Sequence, residues 1–97
     1  MTIQKKSKLK YNYIYIIYDV KQERVNKIFK ICKKYLEHYQ NSVFRGEITE
    51  SNILKLKNEL NKVINKEEDS VLILYYLTKK SVEKEELGVK AKNNKFL

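Results

Sequence analysis

Few side chains of this 97-residue protein are placed to do chemistry, and one stands apart. Asp19 is the sole acid between residues 1 and 22, and it closes the most apolar stretch of the chain, residues 13–18. A carboxylate at the end of a rigid strand, where the next turn opens a cleft, can hold a divalent cation. The same residue type at the same place also serves as a helix N-cap, because its oxygens accept from the unpaired N–H groups of a helix start. On residue type alone the cap is the more ordinary of the two, and both readings stay open. His38 is the only histidine, so a Ser-His-Asp triad would have to be built on it. With no flanking signal it reads as a surface or hairpin residue. Cys32, the single cysteine, falls on an apolar helical stripe and reads as core, not nucleophile. There is no Gly-rich phosphate loop, no Cys-x-x-Cys and no His-Glu-x-x-His.

One carboxylate is a poor seat for Mg²⁺, which takes octahedral oxygen ligands and normally uses one or two carboxylates with waters and phosphates. A symmetric dimer that brings two copies of Asp19 together would supply the missing ligand.

The elements around Asp19 follow from periodicity. Residues 11–18 are almost wholly β-branched or aromatic and read as a central strand. Over residues 21–37 the apolar positions are Val25, Ile28, Phe29, Cys32 and Leu36, a helix with one buried stripe and a lysine-rich outer face. Residues 38–48 alternate loosely and carry Gly46, which suggests a hairpin or a bent pair of short strands. Thr49-Glu50-Ser51 starts a second helix with Ile53, Leu56, Leu60, Val63 and Ile64 at helical spacing. The polar residues 65–70 end it, residues 71–77 form another buried strand, and Leu87-Gly88-Val89 reads as an edge strand. The order β-α-β-β-α-β predicts an α+β, ferredoxin-like sandwich, with an antiparallel sheet and both helices on one face. Its two most apolar strands, the first and the last of the core, should lie side by side at the centre. The far face of the sheet keeps tyrosines and isoleucines with no helix to cover them, so a homodimer packed sheet to sheet is expected. Residues 11–90 form the single domain, residues 1–10 a basic extension and residues 91–97 a tail.

Composition and charge narrow the partners. The chain is long enough for one small domain, and 42% apolar residues provide a core, which excludes a two-domain dinucleotide enzyme. The lone cysteine excludes an internal disulfide and a Cys-rich zinc site, and suits a reducing cytoplasm. No apolar leader follows the first lysines, and the longest apolar runs, residues 13–18 and 71–77, are too short to span a membrane. Net charge is +9, concentrated in residues 1–10, in residues 20–39 and after residue 79. Lys27, Lys30 and Lys34 mark the basic helix face. Such clustering is the footprint of a polyanion, duplex DNA or single-stranded RNA, although abundant surface lysine is the bland alternative.

Several motifs together resemble one family. They are Tyr18-Asp19-Val20 after an apolar strand, Arg24 in the first helical turn, and Gln40-Asn41-Ser42-Val43-Phe44 followed by Gly46-Glu47-Ile48-Thr49. Glu68-Asp69-Ser70-Val71 and Leu87-Gly88-Val89 fit as well. In order and spacing, residues 11–90 resemble the CRISPR-associated protein two family, the small partner of the CRISPR-associated protein one integrase. The lysine-rich residues before the first strand and Arg45, at a position often acidic, depart from its pattern. The resemblance implies a ferredoxin-like homodimer that bridges the integrase during spacer acquisition and binds duplex DNA. It also implies a metal-dependent endonuclease site for RNA or DNA, using Mg²⁺ or Mn²⁺. Asp19 would match the metal-binding and catalytic aspartate, paired with its copy across the two-fold. Arg24 and the segment from Ser42 to Phe44 would lie near that site or the dimer contact. Two other readings share the topology: a toxin-like ribonuclease, and a non-catalytic RNA-binding module with Tyr13, Tyr15 and Phe44 stacking bases.

Overall fold

In the computed structural model the described residues are 13–78 and 81–89, with the side chains of residues 77–83 excepted. The basic extension, Lys79, Lys80 and the tail from residue 90 lie outside them. The elements are β1 (Tyr13–Asp19), α1 (Gln22–Tyr35), β2 (Glu37–Gln40), β3 (Val43–Glu47), α2 (Glu50–Val63), β4 (Ser70–Thr78) and β5 (Ser81–Gly88). They build the expected α+β sandwich: a five-stranded antiparallel sheet in the order β2-β3-β1-β4-β5, carrying two helices. β1 and β4 occupy the centre, as their apolar content requires.

Alternation along β1 decides what faces the helices. Ile14, Ile16 and Tyr18 are buried in the core with Ile28, Cys32, Phe44, Leu56, Leu60, Val71 and Ile73. Tyr13, Tyr15 and Ile17 are half-buried on the opposite face, where each successive side chain of a strand must go. Ile17 pairs with Val43 on one side and Leu72 on the other, and Tyr15 with Leu74, so an apolar band crosses the open face. Each fully buried Ile or Phe on the helix side contributes roughly 1.5–3 kcal/mol, which fixes the register of the central strands.

Residues 37–47 form the expected hairpin of two short strands, with a register shift between His38 and Gln40. Its tip is Asn41-Ser42, where Asn41 takes φ 42, a left-handed conformation that asparagine tolerates. Gly46 is not the turn; it lies within β3, opposite Ile14. The edge strand is also longer than Leu87-Gly88-Val89, because β4 and β5 pair from Ser70–Gly88 to Thr78–Ser81. The second helix starts as expected: Thr49 is its N-cap and accepts from the Asn52 N–H at 3.1 Å. Among the described residues, no helix is long and apolar enough to cross a membrane.

Candidate functional site at the end of the central strand

Asp19 is the last residue of β1, exposed, and paired in register with Ser70 at the start of β4. Alternation from buried Tyr18 directs it to the open face of the sheet. The cap reading of Asp19 does not hold. α1 begins at Gln22, its N-cap is Lys21, and no side chain of the N-cap residue closes the helix start. Asp19 stands two positions before that cap and is not the N-cap residue.

A residue from the other end of the chain stabilises the turn. Asp69 is fully buried, and its carboxylate accepts from the Lys21 N–H at 2.9 Å, the Asn65 N–H at 2.8 Å, and Arg24 Nε at 2.6 Å. Arg24 Nη2 also reaches Asp69 Oδ1 at 3.1 Å and Glu68 Oε1 at 2.6 Å. Burial pushes the Asp69 carboxyl up. The hydrogen bonds from Arg24 and from the Asn65 and Lys21 N–H groups together outweigh that and hold it below its ordinary value. The same partners raise the Arg24 guanidinium pKa. The Asp69 carbonyl accepts the Val89 N–H at 3.0 Å, which ties the end of β5 into the same knot. Asp69 thus joins the β1–α1 turn, the loop before β4 and the end of β5, one residue from the partner of Asp19. In the sequence it looks like one acid of a polar helix stop. Its place between Glu68 and a buried strand was the available signal, and only a distant arginine gives it meaning.

The other sequence candidates separate. Arg24 is beside the site, but its guanidinium is engaged by Asp69 and Glu68, with Glu23 at 3.5 Å. Ser42 approaches the site through its backbone, its carbonyl accepting the Tyr18 N–H at 3.1 Å. Phe44 is wholly buried on the helix side, ringed by Tyr18, Phe29 and His38, so it cannot stack a base. Tyr13 and Tyr15 do lie on the open face and form a cluster with Tyr76. Arg45 stacks on Tyr39 at 3.9 Å from the ring centroid and donates to the Tyr15 hydroxyl at 3.2 Å. Lys27 and Lys30 are exposed on α1, whereas Lys34 is tied to Glu59 of α2, which also accepts from the Tyr35 hydroxyl. His38 is the expected hairpin residue, its ring nitrogen 2.9 Å from the Asn41 carbonyl. Cys32 is fully buried, and burial pushes its thiol up to about 12, which removes it as a nucleophile.

No group of three or more His, Cys, Asp or Glu that could hold a metal occurs among the described residues. Two buried side-chain oxygens, Ser70 Oγ and Glu86 Oε2, have no hydrogen-bond partner among the described residues; Ser70 is the register partner of Asp19, and Glu86 that of Leu72. Asp19 offers one carboxylate, so a cation held there would have to take its other ligands from water, a substrate or a second chain.

Comparison with known proteins gives the family. The family model described as CRISPR associated protein Cas2 matches residues 12–85. This chain belongs to the Cas2 family. The CRISPR-associated endoribonuclease Cas2 of Dictyoglomus turgidum is 47% identical over 77 residues, covering 79% of this chain and 88% of that protein. The CRISPR-associated endoribonuclease Cas2 3 of Thermodesulfovibrio yellowstonii is 51% identical over 77 residues, with the same two coverages, 79% and 88%. A crystal structure of Cas2 superposes with a TM-score of 0.67 at 39% identity, covering 73% of this chain and 80% of that one. Streptococcus pyogenes Cas2 superposes at 0.61 with 30% identity, covering 70% and 88%. The Cas2 match spans β1 to β5 and so includes Asp19, Arg24 and Asp69.

Proposed function

We propose that this Cas2 chain is an endonuclease acting on RNA or DNA phosphodiesters with Mg²⁺ or Mn²⁺, with Asp19 as the metal-holding residue. The observation that carries the reading is that Asp19 ends the central strand exposed, while buried Asp69 does the work of holding the helix start. An exposed carboxylate at the end of a rigid strand, beside a turn that other residues hold, is placed where it can meet a cation. The names of the relatives, CRISPR-associated endoribonucleases, support RNA as a substrate.

The residues divide the labour as follows. Asp19 fixes the cation at the rim of the open face. Asp69 and Arg24 hold the β1–α1 turn so that Asp19 keeps one direction. Exposed Lys27 and Lys30 offer charge to a phosphate backbone. The cation, when bound, neutralises charge on the phosphate in the transition state and lowers the pKa of water.

The protein acts as a homodimer through the open apolar face, with Ile17, Val43, Leu72 and Leu74 as the covered band. In that dimer two copies of Asp19 share the site. The same dimer binds duplex DNA and scaffolds the CRISPR-associated protein one integrase in the cytoplasm during spacer acquisition. The test is Asp19→Asn at matched metal and protein concentration. Cleavage dependent on Mg²⁺ or Mn²⁺ should be lost, with the dimer, duplex binding and integration retained. Cleavage that persists in Asp19→Asn would refute the metal assignment.

A further inference from the structure

Four tyrosine rings and one guanidinium gather at the end of the open face farthest from Asp19. Tyr13 and Tyr15 follow one another along that face of β1, and Tyr76 of β4 closes the group. Ring centroids are 6.0 Å apart for Tyr13 and Tyr15, 6.2 Å for Tyr13 and Tyr76, and 5.5 Å for Tyr15 and Tyr76. Arg45 extends the row to the β2 edge. It donates to the Tyr15 hydroxyl and lies 3.9 Å from the ring centroid of Tyr39, which is 48% exposed. Along β1, at about 3.4 Å per residue, Tyr15 is roughly 13 Å from Asp19 and Tyr13 roughly 20 Å. The apolar band of Ile17, Val43, Leu72 and Leu74 reaches only to the row of Tyr15, so a dimer built on it leaves Tyr13, Tyr39 and Tyr76 at its rim.

The charge around the cluster suits a polyanion. Tyr13 also lines a cavity of about 550 Å³ with Lys33, Tyr35, Glu37 and Glu47, and Lys33 is exposed near the end of α1. Residues 1–10, which precede β1 in the chain, carry four lysines and no acid. Tyrosine and arginine planes take up unpaired bases by stacking, whatever the sequence, because every base has a π face. Glu37 and Glu47 turn phosphate away from their side of the cavity. A carboxylate oxygen there accepts from a ribose 2′-hydroxyl, a group that DNA lacks. We propose that Tyr13, Tyr15, Tyr76 and the Arg45–Tyr39 stack form a platform for the unpaired bases of single-stranded RNA, with Lys33 meeting the phosphate beside Tyr13. This binding site is separate from Asp19 and needs no metal, so it goes beyond the nuclease reading and does not depend on it.

Fluorescence anisotropy of a short labelled single-stranded RNA with the full chain, in EDTA, tests this without any nuclease readout, alongside melting and solution mass. Tyr13→Leu and Tyr76→Leu keep apolar cover on the sheet but lose a π face. Each should weaken RNA binding about 10-fold, within the range expected for one stacked base. Tyr13→Phe keeps the ring and should bind as wild type does. Lys33→Gln, an exposed change that leaves the fold intact, should lower the slope of log affinity against log salt by about 0.7. Single-stranded DNA of the same sequence should bind more weakly than the RNA, and neither leucine variant should alter duplex affinity. Asp19→Asn should bind RNA as wild type does, which separates this site from the metal reading. If both leucine variants bind RNA as wild type does, the inference is overturned and the Asp19 reading is untouched. An unchanged salt slope in Lys33→Gln, equal losses for duplex and single strand, or DNA bound as tightly as RNA overturns it as well. If a leucine variant instead halves the solution mass, the rings meet a second copy and the inference falls.

Discussion

Replacing Asp69 with asparagine should unfold more of this protein than any other single-atom change of charge among its described residues. The buried carboxylate accepts from four donor groups: the Lys21 N–H, the Asn65 N–H, Arg24 Nε and Arg24 Nη2. An amide keeps one accepting oxygen and turns an NH₂ group toward the remaining donors. About two of the four bonds are lost and two donors face each other. At about 1.5–3 kcal/mol for a hydrogen bond to a buried charged group, the loss is about 3–5 kcal/mol, in line with breaking one partner of a buried pair. A domain of this size has about 5–15 kcal/mol in all, so the melting midpoint should fall by about 15–30 °C. The folded state holds the Asp69 carboxyl below its ordinary value of 3.8. Its ionised form is therefore favoured on folding, and that stability is present above pH 3.8 and lost as pH falls below it. Urea titrations of wild type and Asp69→Asn at pH 7, 4 and 3 measure both effects. The gap between the two proteins should be widest at pH 7 and close toward pH 3. A loss under about 1 kcal/mol at pH 7, or a gap that does not narrow on acidification, would refute the account of Asp69 as a charged hub.

Gly88→Ala should be comparably damaging, since a Cβ there would sit 1.8 Å from the Asp69 carbonyl oxygen at φ 103, and its melting curve should show loss of a large part of the stability. Lys27→Gln combined with Lys30→Gln should lower the slope of log affinity for duplex DNA against log salt by about 2 if both lysines contact phosphates; an unchanged slope would place this helix face in solvent. Lys34 is left out of that pair because removing it would unpair Glu59 and loosen the α1–α2 contact.

The periodicity of the chain determined the element order by itself. Residues 13–18 can only be a central strand, because their apolar and aromatic side chains need cover on both faces. The stripe Val25, Ile28, Phe29, Cys32 and Leu36 can only be a helix packed on one side. The candidate acid was legible too, since Asp19 is isolated at the end of that strand. What Asp19 does locally was not legible, because a cap and a ligand demand the same residue type at the same place. Tertiary structure puts the helix cap at Lys21 and brings Asp69 across 48 residues onto the Lys21 N–H, a contact that no local pattern encodes. Burial likewise took Phe44 out of reach of any base, although its neighbours in sequence alternate as an exposed strand would. Sequence patterns report which face a residue prefers, and partners distant in the chain are set by the packing of the whole sheet.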